Sequence, residues 1–132
     1  MDLKDLRYAI QEELKSNATL VSGRVFATFT APAGGDKPYL EVGIIGELPA
    51  VNPHGMFYQL EVLCIGDPVD RLLLDDVADQ VITLLHDVHL TSPDGRVFYC
   101  TYTRDGRVDQ FSNDVNGLVT RLKFLVPSDF WT

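Results

Sequence analysis

The residues best suited to chemistry in this 132-residue chain are few: His86 and His89, Cys64 and Cys100, and the carboxylates Glu41 and Glu61. His86 and His89 stand three apart with Asp87 between them, in a stretch whose apolar spacing reads as helix, so the two imidazoles would share a face and could hold a metal. A zinc site needs one or two further ligands, and His54 is the only other histidine. The alternative is that two imidazoles in a last helical turn complement the helix dipole and its free carbonyls, and the short ligand count favours that. Cys64 and Cys100 fall on apolar strand faces, where cysteine acts as a small hydrophobe. A nucleophilic thiol would want a base and an electropositive setting, which nothing in the sequence supplies. Glu41 and Glu61 project from the polar faces of neighbouring candidate strands. Paired carboxylates can do acid–base work, but such residues more often sit on the wet face of a sheet. Gly34-Gly35 leads through Asp36 into a strand, not into a helix with Lys and Ser or Thr, so it is no phosphate loop. No nucleophile elbow, C-x-x-C pair or EF-hand spacing is present. The expectation is a chain with no catalytic site, no cofactor and no metal.

The elements that would carry these residues follow from periodicity. Residues 2–16 read as an amphipathic helix with Leu3, Leu6, Ile10 and Leu14 on one stripe, Asp2 as a cap and Ser16-Asn17 at the end. Strands are expected at 23–30, at 38–46 with Leu40, Val42 and Ile44 on one face, and at 56–65 with Met56, Tyr58, Leu60, Val62 and Cys64 on one face. Asp67-Pro68 suits an N-cap followed by the first helical position. That helix is expected to reach about His89, burying Val69, Leu73, Val77, Val81, Leu84 and Val88, widened by Leu72, Ala78 and Leu85. A turn at Ser92-Pro93-Asp94-Gly95 precedes a strand with Phe98, Cys100 and Tyr102 on one face. Asp105-Gly106 reads as a turn or a bulge inside a longer strand, and 112–117 as a hairpin tip. The last strand, 118–126, puts Leu118, Leu122, Phe124 and Val126 on one face and Arg121 and Lys123 on the other. The order α-β-β-β-α-β-β implies an α+β fold: one domain over 1–132, with a largely antiparallel sheet of about five strands and two helices packed on it. A short tail at 127–132 holds the sole tryptophan, Trp131, which either seals its own core or anchors in a partner.

Composition narrows the partners. The net charge is −8 and hydrophobic residues make up 45% of the chain, so a folded acidic domain is expected. An acidic surface disfavours free nucleic acid and anionic membranes. No stretch is long or apolar enough to span a membrane, and no secretory pattern opens the sequence, so a reducing cytoplasm with free thiols is expected. The charge is uneven. Residues 1–95 hold six basic against fifteen acidic side chains, and residues 96–132 hold five against four.

The order of motifs resembles that of the tail terminator and neck-ring proteins of long-tailed bacteriophages. The matching features are an N-terminal helix, then Val21-Ser22-Gly23-Arg24-Val25-Phe26, a Pro-Gly loop, and Pro38-Tyr39-Leu40-Glu41-Val42. A strand follows, then a long helix containing Leu84-Leu85-His86, and a late Arg121 before the last apolar strand. The resemblance covers nearly the whole chain and rests on order, since no single residue is diagnostic. It implies a homo-oligomeric ring, usually a hexamer, at the head-proximal end of a virion tail. Such a ring meets the tail tube protein on one side and the head–tail connector protein on the other, with DNA passing through the lumen unread. It would assemble in the host cytoplasm. Other ring proteins of the neck or tube share related folds. A small metal-dependent enzyme at His86 and His89 and a monomeric binding domain are the readings from other classes.

A ring needs two different patches on each copy. The divided charge offers a pair: Arg104, Arg107, Arg121 and Lys123 near the C-terminal hairpin would meet Asp75, Asp76 and Asp79 on a neighbour's helix, with Trp131 as a further anchor. The loops at 31–37 and 47–55 are the segments expected to touch the tube or connector.

Overall fold

The computed structural model describes residues 3–27, 35–49, 56–93, 95, 97–103, 107–112 and 117–127. Helix α1, Leu3–Asn17, buries Leu6, Ala9, Ile10 and Leu14, the stripe that its spacing implies. A short 3-10 turn at Thr19–Val21 ends on Ser22, whose φ of 52° lies in the left-handed region, and releases the chain into strand β1, Val25–Ala27. Strands β2, Tyr39–Pro49, and β3, Met56–Gly66, form a long antiparallel pair with a register shift between Ile44 and Gly46. Helix α2, Arg71–Leu85, follows, then β4, Val88–Thr91, β5, Val97–Tyr102, β6, Val108–Ser112, and β7, Gly117–Pro127.

These strands form one sheet in the order β1-β2-β3-β7-β5-β4, with β6 also paired to β7. The α+β class holds, and the sheet is antiparallel except for the parallel pair β1–β2. Among the described residues seven strands replace the expected five or so. One of the two additions, β4, was assigned to the second helix. The other arises because the stretch after residue 96 is two strands, β5 and β6, laid one after the other along the same edge of β7. Tyr102 pairs with Phe124 and Val108 with Arg121, so the two strands follow one another along β7. The expected turn or bulge at Asp105-Gly106 lies outside the described residues, as do the Asp2 cap, residues 113–116 of the hairpin tip and the tail from 128.

Both helices pack on one face of the sheet. Even-numbered residues of β3 and β7 point to them, and Leu60, Val62, Cys64, Leu122, Phe124 and Val126 are all fully buried there. Each such side chain stabilises the fold by roughly 1.5–3 kcal/mol relative to exposure. The other face is not simply wet. Tyr39, Ile65 and Val119 are buried on it, with Phe26 and Leu63 packed against them. At the end of that face β7 begins on Gly117, where an added Cβ would lie 2.5 Å from the Gly66 carbonyl oxygen. Backbone cannot give way there, so the close approach of β3 and β7 requires glycine.

Helix α2 differs from its expected form at both ends. Its N-cap is Asp70, whose carboxylate accepts from the Leu73 N–H at 3.2 Å. Asp67 instead stabilises the turn before it, accepting from the Val69 N–H at 3.1 Å. Val69 and Leu72, placed on the buried stripe from sequence, are 91% and 78% exposed. The buried stripe is Leu74, Val77, Ala78, Val81 and Leu85. At the other end His86 turns extended and Asp87 takes a φ of 55°, so the chain leaves the helix and enters β4.

Candidate functional site

Of the charged residues singled out from sequence, Arg107, Asp75 and Asp79 meet at the seam between α2 and β6, and they do so within one chain. Arg107, just before β6, places its Nη2 3.1 Å from Asp75 Oδ1, and its other guanidinium nitrogens reach 3.9 Å from Asp79 and from Asp109. Arg71, in the first turn of α2, binds Asp109 at 2.8 Å. The Thr120 hydroxyl donates to the same carboxylate at 2.7 Å. Two arginines and one hydroxyl thus converge on Asp109 and fasten β6 to the helix. Asp76 is exposed, and the Asp79 side chain keeps 73% of its exposure. The contact foreseen between copies at Arg107 and Asp75 is therefore already made inside the subunit. Arg104 and Trp131 lie outside the described residues.

Arg121 and Lys123 sit on the sheet face away from the helices, as their alternation requires. Lys123 is directly opposite Glu61 in register, and the Arg121 guanidinium lies 3.7 Å from the Glu61 carboxylate. The Arg121 Nε is buried with no hydrogen-bond partner among the described residues. Glu41, expected on a wet face, is buried at 7% exposure, and the Glu61 side chain is only 13% exposed. The correction has a plain cause. Glu41 is opposite Phe26 and Leu63 of the second apolar cluster, and Glu61 has Lys123 opposite it and the Arg121 guanidinium 3.7 Å away.

The histidines do not share a helix face. His86 is the C-cap residue of α2; its backbone N–H donates to the Ile82 carbonyl at 2.8 Å, and its Nδ1 accepts from the Tyr102 N–H at 3.0 Å. His89 is on β4, with its ring 4.9 Å from that of Tyr99. The Tyr99 hydroxyl donates to Asp87, and that carboxylate holds the phenol above its ordinary range. No group of three His, Cys, Asp or Glu side chains able to hold a metal forms among the described residues. Cys64 and Cys100 are fully buried, and burial pushes each thiol up to about 12. Among the described residues no helix is long and apolar enough to cross a membrane.

A second charged surface lies on α1 and was not singled out from the sequence. Lys4, Arg7, Tyr8, Gln11 and Lys15 repeat at helical spacing. Lys4, Arg7, Tyr8 and Gln11, with Ala27 of β1, line an open cleft of about 450 Å³. Arg7 and Lys15 are exposed, and Tyr8 is 49% exposed. The signal was legible in the spacing, but these residues read only as the polar complement of an apolar stripe.

Comparison with known protein families finds no match, and no curated protein matches the chain. Among solved structures the fold recurs in a chain from the virion of a native gene transfer agent particle. The two agree with a TM-score of 0.73 over 95% of each chain, at 18% sequence identity. At that identity the likeness shows a shared fold.

Proposed function

We propose that this chain is a structural virion protein of a phage-like particle, acting as a tail terminator: a ring that caps the tail tube and offers a surface to the head–tail connector. The observation that carries this reading is the full-length likeness to a chain of a gene transfer agent virion, with neither chain left with a large unmatched part. The order of sequence motifs supports the same class. The side chains agree with a role that needs no chemistry, since the thiols are buried, the His86 ring accepts from the Tyr102 N–H and the His89 ring packs against Tyr99. In this reading the copies close head to tail, DNA passes through the lumen without being read, and the acidic balance of the chain keeps it from holding that DNA. Of the charges singled out from sequence, Asp76 is exposed and Asp79 keeps most of its exposure, so both are open to contacts beyond the subunit.

Light scattering combined with negative-stain microscopy tests the reading. A closed ring of about six copies that binds the ends of purified tail tubes is the expected result. Spontaneous growth into long tubes would assign the chain to the tube itself. A monomer at high concentration that ignores tube ends would overturn the assembly reading.

A further inference from the structure

Resting on that reading, we infer that the basic outer stripe of α1 is the seat for the acidic outer face of α2 from a second copy of the chain. The two surfaces are complementary in charge and in layout. On α1, Arg7, Tyr8, Gln11 and Lys15 form one exposed-to-half-buried row beside an open cleft, and the acidic side chains Asp5, Glu12 and Glu13 fall off that row. Arg7 and Lys15 make no ion pair among the described residues.

On α2, Leu72, Asp76 and Asp79 lie at helical spacing on the side away from the core. Leu72 is 78% exposed, which is unusual for a leucine that its own fold does not need. Leu72 is the apolar member of the acidic surface, and Tyr8 stands at the edge of the basic row, with Asp5 and Glu12 on its far side. An apolar contact flanked by opposite charges is an arrangement expected of a specific protein contact. The seam at Arg107 does not compete for the whole acidic row. It occupies Asp75 at 3.1 Å and reaches Asp79 only at 3.9 Å, leaving Asp76 without an ion pair among the described residues. A nucleic acid is the weaker occupant, because the stripe sits on a chain of net charge −8 and offers few cations to a phosphate backbone.

Because the two surfaces differ, the contact can close a head-to-tail ring or be made twice across a two-fold axis, and it can be tested by charge exchange. One variant carries Arg7→Glu and Lys15→Glu; a second carries Asp76→Lys and Asp79→Lys. All four positions are exposed, and circular dichroism checks that each variant folds. Sedimentation at low salt should show each variant associating about tenfold more weakly than the natural chain, or worse. An equimolar mixture should recover association, because the acidic α1 of one variant then meets the basic α2 of the other. Variants that associate as well as the natural chain would overturn this contact and leave the ring reading standing. The same holds if both variants are weakened and the mixture does not recover. A natural chain that stays monomeric would overturn the ring reading and this contact together. Binding of duplex DNA by the natural chain, lost in the α1 variant, would make the stripe a polyanion site instead. Recovery in the mixture as a two-copy species would confirm the contact and remove the ring.

Discussion

Asp109 accepts from Arg71 and from Thr120, and Arg107 approaches it from a third side while bonding Asp75. The group is half-exposed, so screening limits what each pair contributes. Replacing Arg107 by Ala should lower stability by about 0.5–1 kcal/mol, with the loss shrinking in 1 M salt, as denaturant titrations at two ionic strengths would show. An unchanged midpoint would mean that the arginine holds nothing. The two thiols behave in the opposite manner, as groups removed from solvent. With pKa values pushed from the ordinary thiol range, about 8.5, up to about 12, neither is ionised in the folded chain at neutral pH. Reaction with a thiol reagent at pH 8 should be slow in the native chain and prompt after denaturation. Linkage adds a second expectation. The unfolded chain loses these protons first, so the stability due to the buried thiols is fully present below pH about 8.5 and is lost progressively as pH rises to about 12. Tyr39, raised mainly by burial, acts with the same sign.

At the scale of elements, the start of α2 separates two carboxylates that the sequence cannot rank. Asp67 precedes Pro68 and carries the stronger written signal for a cap, yet Asp70 bonds the Leu73 N–H. Asp70→Ala should therefore cost about 1 kcal/mol in thermal or chemical unfolding, and Asp67→Ala distinctly less. The reverse order would move the helix start back to the position that the sequence suggests. Such ambiguities mark where the sequence stops being legible. Strands β3 and β7 could be read because their long alternation leaves one answer: Leu122, Phe124 and Val126 must face the core together; β2 was legible only to the register shift after Ile44, and its continuation to Pro49 falls where a loop was expected. Strand β4 could not. Val81, Leu85 and Val88 continue a helical repeat, and the break falls on Asp87 in a left-handed conformation where a glycine would have announced it. That one missed break also joined His86 to His89 as apparent helix neighbours. The acidic row of α2 was legible as charge, but the arginine that meets Asp75 lies 32 residues further along, and the pairing of β6 with β7 brings it there.

For the molecule as a whole, one apolar cluster takes in both helices and every strand except β6. No part of that cluster can open without exposing the rest, so a single cooperative transition is expected, as for one domain. Association should then be visible in the same transition. A partner that binds only the folded state stabilises it by about 2.7 kcal/mol when its concentration is a hundred times the dissociation constant. For a chain of this size each kcal/mol moves the midpoint by roughly 3–5 °C. Between a dilute and a concentrated sample at low salt, the melting temperature should therefore rise by roughly 10 °C. If charge on α1 and α2 steers the contact, 1 M salt, where screening acts within about 3 Å, should erase most of that rise while leaving the dilute midpoint little changed. A midpoint that ignores concentration at low salt would describe a monomer, and the acidic chain would then have no use for the two opposed rows that its helices present.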